Sequence, residues 1–334
     1  MLRYLRFALV LSTFLIAGQQ YAELGDFSLE NGETIRDCRI GYRTYGQLNQ
    51  EKSNVILFPT WFGGTSEHLG NLVGPDKLID STRYFVIAID ALGDGVSSSP
   101  SNSQFQPGEQ FPLFTIRDMV NSQYRALTEV LDIRHLHCIV GGSMGGMQTF
   151  QWLVSYPDFM DKAVPYVGAP WQTAYGRLVW EMELLAIEIG RKYDLPLAVT
   201  TEQVALIQVV NAYTPDYRNR MTKSNEVTEF RNDYSTRFAR NFRIDDWAAQ
   251  LRAMMSHDIT AALDSSKALA AEVIAADLLI IVSRQDHLVN PGPALELARM
   301  LGAETLIFDN DCGHLAPGCE MQRFVAVVHE FIDR

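Results

Sequence analysis

Short, almost wholly apolar runs alternate with segments of helical spacing along most of this chain. The runs lie at 54–58 (NVILF), 84–90 (YFVIAID), 136–140 (LHCIV), 162–167 (KAVPYV), 277–282 (DLLIIV) and 304–308 (ETLIF). Continuous apolar runs of this length, bounded by turn residues, predict buried strands. Pro165 interrupts the fourth run, and proline is disfavoured in a central strand. Residues 26–48 carry further strand-like runs that stop at Tyr45 and Gly46. Residues 116–131 space Met119, Val120, Leu127 and Val130 as one helical face. Residues 149–156 read as a helix, and 320–332 as another with Phe324, Val327, Val328 and Phe331 on one side. Strands alternating with helices predict an α/β fold with a mostly parallel sheet covered on both faces. From about 170 to 275 the pattern changes. Helical segments at 180–189, 201–212, 245–255 and 259–274 follow one another without a strand. This block predicts a helical insertion between strands, placed as a lid over the site.

The length of 334 residues suits one large domain, or one domain with an insertion. A composition of 47% hydrophobic and 20% charged residues is that of a globular protein. A formal charge of -12 argues against nucleic acid as a partner. No zinc-type Cys/His spacing is present, and neither a metal nor an organic cofactor is expected. The first residues differ from the rest. Arg3 and Arg6 precede the apolar stretch 7–18 (FALVLSTFLIAG), and Gln19 and Gln20 follow it. This is the pattern of a secretory signal peptide, too short for a comfortable membrane span. Cleavage is expected after Gly18 or Ala22, giving a leader of up to residues 1–22 and a mature domain of 23–334. The mature chain would be periplasmic or secreted, with no stable membrane insertion. An exported chain with four cysteines permits disulfides. Cys138 lies in a presumed central strand and reads as a buried small hydrophobe. Cys312 and Cys319 bracket His314, and a disulfide between them would pin that loop.

Chemistry concentrates in the run 140–148 (VGGSMGGMQ). It contains Gly-x-Ser-x-Gly between an apolar run and a helical pattern. Strand, tight glycine turn and helix form the context of a nucleophile elbow, which lifts the serine hydroxyl above the sheet. Ser143 is therefore the candidate nucleophile. A serine hydroxyl needs a base, and the base needs an orienting acid. In this context the chain order is serine, acid, histidine. Asp286 follows run 277–282 by a short loop, and His314 follows run 304–308 in the same way. Both fall at carboxyl ends of strands, where sites of open α/β sheets lie. His287 reads as a solvated loop residue, and Asp309 and Asp311 share the loop of the base. His68, His135, His137 and His329 lack such context. Two backbone N–H groups must meet the oxyanion. Met144 supplies one, and the glycine turn after run 54–58 supplies the other, from Trp61 or Phe62.

The chain resembles the homoserine O-acetyltransferase family of α/β-hydrolases over roughly residues 26–334. The likeness rests on 42–49 (YRTYGQLN), 115–120 (TIRDMV), the elbow with Gln151 and Trp152 after it, 155–157 (SYP), Asp286, and the pair Gly313 and His314. The resemblance implies the α/β-hydrolase fold and a covalent acyl group on Ser143, passed to a second substrate entering under the lid. It also implies a substrate-binding lid tyrosine, Tyr213. Two charged clamps of the family are missing. The arginine that holds the acceptor carboxylate is replaced by Leu206, and the aspartate after the catalytic histidine is replaced by Leu315. Each lost charge-assisted bond removes about 1.5–3 kcal/mol of pairing with a zwitterionic amino acid. Acetyl-CoA is moreover cytoplasmic, so an exported enzyme would lack that donor.

The sequence thus predicts hydrolysis of a short-chain, acetyl-type ester outside the cytoplasm, with a small-molecule ester or acyl donor as partner. An O-acyltransferase using acetyl-CoA and a hydroxyl acceptor is the alternative. A non-enzymatic binding protein on a hydrolase scaffold is the third. A homodimer is also among the expectations.

Overall fold

The computed structural model describes residues 18–334. Strand β1 (Gln20–Ser28) pairs antiparallel with β2 (Thr34–Tyr45), and β2 pairs antiparallel with β4 (Phe85–Ile89). The remaining pairings are parallel, through β3 (Val55–Pro59), β5 (Leu136–Gly142), β6 (Met160–Tyr166), β7 (Asp277–Ser283) and β8 (Glu304–Phe308). The sheet order is β1-β2-β4-β3-β5-β6-β7-β8. The expected α/β architecture with a mostly parallel sheet is the one observed.

Alternation along each strand divides the core in two. Leu57, Ile139 and Ile280 face one side with Met147, Phe150 and Trp152. Ile56, Cys138 and Ile281 face the other with Phe324, Val328 and Phe331. Each fully buried side chain of this size is worth roughly 1.5–3 kcal/mol. Cys138 and Cys38 are free and buried. Pro165 is accommodated at one local gap. It pairs with Gly141 of β5, while the ladder to β7 skips from Ala163 to Tyr166. Proline has no N–H for that side.

The helices before the insertion are α1 (Ser66–Leu69), α2 (Ile116–Arg125) and α3 (Met144–Ser155). The insertion between β6 and β7 contains α4 (Ala174–Lys192), α5 (Leu197–Ala212), α6 (Pro215–Met221), α7 (Val227–Ala239), α8 (Ile244–Met255) and α9 (Lys267–Val273). Then come α10 (Gly292–Leu301), α11 (Ala316–Cys319) and α12 (Met321–Asp333). The expected helix over 259–274 is shorter than predicted. Asp264 and Ser265 take φ of 53° and 56°, which ends any helical turn, and α9 starts afresh from Ser266, whose hydroxyl accepts from Leu269 N–H. No described helix is long and apolar enough to cross a membrane.

Residues 1–17 of the expected leader lie outside the described residues. Its last residues lie in the sheet. Gln20 pairs with Tyr42, Tyr21 with Gly41 and Ala22 with Ile40, and Ala22 is fully buried.

Candidate active site

Strands β5, β7 and β8 run parallel, so the loops leaving their carboxyl ends share one edge of the sheet. Ser143 leaves β5 there with φ 55° and ψ −120°, a conformation that non-glycine residues rarely adopt. Its N–H donates to the Tyr166 carbonyl at 2.9 Å, and α3 starts at the next residue. The turn lies so close to β3 that a Cβ at Gly145 would stand 2.5 Å from the Pro59 carbonyl oxygen. That contact requires glycine.

The structure brings Ser143, His314 and Asp286 together. Ser143 Oγ donates to His314 Nε2 at 2.9 Å, and His314 Nδ1 donates to Asp286 Oδ2 at 2.7 Å. Asp286 and His314 are both buried. Asp286 Oδ1 accepts from the N–H groups of Leu288 and Val289 at 2.9 and 2.8 Å. These bonds fix the carboxylate that holds the imidazole. The base loop is also held from outside. Cys312 and Cys319 are disulfide-bonded, bracketing His314, Leu315 and Pro317. Gly313 has φ 61°, and a Cβ there would lie 2.8 Å from the Ala212 carbonyl oxygen, at the end of α5. Arg220 of α6 pairs with Asp311.

Competing residues go elsewhere. Asp309 pairs with Arg284. His68 accepts from the Thr65 N–H at the start of α1, and His135 pairs with Asp161. His137 and His329 donate to backbone carbonyls of Ile332 and Lys77. The His287 ring lies 6.5 Å from that of Tyr175, in the acid's loop.

Met144 opens α3, where first-turn N–H groups lack helical partners. Trp61 and Phe62 both border the chamber beside Ser143, and neither N–H is taken by a described acceptor. The two turns are joined by a side chain that sequence reasoning treated only as part of a motif. Gln148 is fully buried and its Nε2 donates to the carbonyls of Thr60 and Met144. Gln123 Nε2 donates to Gln148 Oε1 at 2.6 Å, and Trp152 Nε1 donates to Gln123 Oε1 at 3.0 Å. Two glutamines on the buried faces of adjacent helices were the available signal, since buried amides need partners.

Above Ser143 lies a chamber of about 460 Å³. Trp61, Phe62, Val167, Tyr234, Trp247 and Leu315 are among its walls, and no described lining residue carries a formal charge apart from a protonated His314. Val167 is a β-branched residue held at φ 42°, a strained conformation of the kind that collects at functional sites. Leu315 sits at the rim and is 43% exposed. Leu206 is not among the lining residues, whereas Gln208 and Ala212 of the same helix are. Tyr213 stacks on Tyr217 at 4.2 Å and lines a neighbouring lid cavity with Arg218 and Phe230, rather than the chamber itself. Glu183 of α4 is buried behind the chamber wall, and burial pushes its carboxyl up to about 8.

This arrangement provides a nucleophile, a base, an orienting acid and two candidate oxyanion donors, which together suffice for acyl transfer through a covalent intermediate. Comparison with known proteins agrees with it. A family model described as the alpha/beta hydrolase fold matches residues 53–317. The chain is 40% identical over 157 residues to the protein named "Probable esterase Cgl0839" of Corynebacterium glutamicum, covering 46% of this chain and 45% of that one. It is 39% identical over 189 residues to the homoserine O-acetyltransferase of Methanococcoides burtonii, covering 50% and 38%. The matches thus span about half or less of these relatives' length. Among solved structures, the acetyl esterase MekB superposes with a TM-score of 0.88 at 25% identity, over 95% of this chain and 97% of that one. With the family model matched along most of its length and the serine turn, acid and base at its strand ends, this chain belongs to the α/β-hydrolase family.

Proposed function

We propose that this protein hydrolyses a short-chain, acetyl-type ester. Ser143 attacks the ester carbonyl as His314 takes its proton. The oxyanion is met by the N–H of Met144 and by that of Trp61 or Phe62. The alcohol leaves with the proton from His314, and water, activated by the same histidine, releases the acid. Asp286 orients His314 throughout. The observation that carries this reading is the uncharged chamber wall around a complete triad. An amino-acid acceptor would have to leave its ammonium and carboxylate unpaired there, a heavy penalty away from water. The esterase names of similar proteins support the same reading. The resemblance to homoserine O-acetyltransferases supports the transferase alternative. Incubation with p-nitrophenyl acetate, and separately with acetyl-CoA and homoserine, tests the choice. Release of p-nitrophenol without O-acetylhomoserine is expected, and robust O-acetylhomoserine formation would refute the hydrolase.

The proposal includes export with cleavage after Gly18 rather than Ala22. Gln19 Nε2 donates to Asp90 Oδ2 at 2.9 Å, and residues 20–22 pair with β2. A cut after Ala22 would strip an edge strand of these bonds. Amino-terminal sequencing of exported protein decides it. A homodimer is also proposed. Tyr175, Leu178, Met182, Leu185 and Ile189 recur along α4 at three- and four-residue spacing and are all exposed. Such a stripe is the seam along which two helices pack. Light scattering showing only monomer would end that part.

A further inference from the structure

The ester chemistry leaves unused a fully buried ionisable group of the lid, Glu183 of α4. Glu183 Oε1 accepts from Gln208 Nε2 at 2.8 Å, and its Oε2 accepts from Trp247 Nε1 at 2.9 Å. Both donors line the chamber over Ser143. One carboxyl therefore joins α4, α5 and α8 at the chamber wall.

The two partners differ in what they can do. An indole N–H only donates, whereas a primary amide donates at one end and accepts at the other. The oxygen facing Trp247 must therefore accept, whatever the protonation state of Glu183. Gln208 is the one other described hydrogen-bond partner of the carboxyl and the one that can accept, so a proton on Glu183 sits on Oε1, facing Gln208. Gln208 must then turn its carbonyl toward Glu183 and free its NH₂. With Glu183 ionised, the carbonyl is the free end, and no described residue donates to Gln208 Oε1.

We propose that Glu183 is a positioning residue that sets which end of the Gln208 amide is offered to the chamber, and with it the hydrogen-bonding character of the ester that fits. The inference rests on the hydrolase reading for its substrate class. With Glu183 ionised, the chamber fits a short ester that carries a hydroxyl. With Glu183 protonated, it fits one whose extra polar atom is an ether or carbonyl oxygen.

Burial brings both states within reach, because the carboxyl is pushed up to about 8. Among the described residues, the titratable group that faces it from a packed element is Tyr234 of α7, whose hydroxyl burial also pushes up. Arg218 and Arg237 act on Tyr234. The groups that α5 and α8 turn to Glu183 are Gln208 and Trp247, which do not titrate.

Glu183→Gln is the informative variant because it mimics the protonated acid. Its carbonyl must serve Trp247, so its NH₂ faces Gln208 and locks the Gln208 NH₂ as the free end. The measurement is the ratio of kcat/KM for 2-hydroxyethyl acetate over 2-methoxyethyl acetate, whose ether oxygen accepts but cannot donate, on both sides of the Glu183 transition. In the unmodified protein the ratio is expected to rise about three- to tenfold as Glu183 ionises, the worth of one neutral hydrogen bond. In E183Q it is expected to stay flat at the low-pH value. A flat ratio in the unmodified protein, or an equal slope in E183Q, overturns the proposal.

Indole fluorescence is titrated in parallel and needs no turnover. A transition in the same range that vanishes in E183Q is expected, and its absence from the unmodified protein overturns the role of Glu183. Failure to hydrolyse either ester would count against the hydrolase reading, with the indole titration still deciding the role of Glu183. Should E183Q not fold, Gln208→Leu removes the amide and is expected to flatten the ratio. A slope that survives that change overturns the proposal.

Discussion

Gln148 Nε2 donates to the Thr60 carbonyl at 2.9 Å. The same nitrogen reaches the Met144 carbonyl at 3.2 Å, so one buried amide fastens the turn carrying Trp61 to the turn carrying Ser143. The two candidate sources of oxyanion donors are registered against each other by this residue.

Replacing Gln148 with leucine removes both bonds, together with the one that Gln148 accepts from Gln123. The expected result is a fall in kcat of about 10²-fold with little change in KM, because donor alignment matters most in the transition state. Steady-state kinetics on p-nitrophenyl acetate measure it. A raised KM at unchanged kcat would show that Gln148 shapes binding instead.

Asp286→Asn should leave the fold intact and lower kcat by about 10⁴-fold, since an amide favours the wrong imidazole tautomer. Fluorophosphonate labelling of Ser143 should slow in parallel. Activity within tenfold of the unmodified enzyme would remove Asp286 from the triad.

Opening the Cys312–Cys319 bridge by Cys312→Ser and Cys319→Ser should cost about 2 kcal/mol of stability, the loop-closure value for so short a ring. Activity should fall as well, because the bridge brackets His314. Chemical denaturation and kinetics with and without reductant test both effects. Equal activity in the reduced protein would separate the bridge from the base.

Stability should fall on both sides of a maximum. Burial holds the His257 imidazole down at about 4 while its Nε2–H donates to the Ala169 carbonyl. The folded state therefore binds fewer protons than the unfolded one below pH ~6.5, and stability drops as pH falls from there through about 4. Glu183 is raised instead. Its contribution is fully present below the ordinary carboxyl value and is lost as pH rises through about 8. Asp94, buried beside Asp90, is pushed the same way. Melting curves against pH should show the acid arm flatten in His257→Gln and the alkaline arm flatten in Glu183→Gln.

What the sequence disclosed follows from how local each signal is. Runs such as NVILF and DLLIIV are buried on both faces, and the edge run ETLIF still buries Leu306 and Phe308, so these strands were legible as apolar runs. Ser143, Asp286 and His314 were legible because each follows such a strand by a few residues. Helix α7 was not, since none of its residues is fully buried and Phe230, Tyr234 and Phe238 stack in a row along it, so no fully apolar face marks it. Strand β1 was obscured by the apolar sequence stretch 7–18 just before it. The roles of Gln148 and Glu183 depend on partners 88 and 64 residues away, which no local pattern encodes.

The bridge between Cys312 and Cys319 also bears on how this protein can diversify. It anchors the ring of residues 313–318 at both ends, independently of what Leu315, Pro317 and Gly318 contribute to the rim. Replacements at those rim positions can accumulate over generations without loosening the imidazole beside them. The substrate range is thereby free to drift while the machinery of turnover is inherited unchanged.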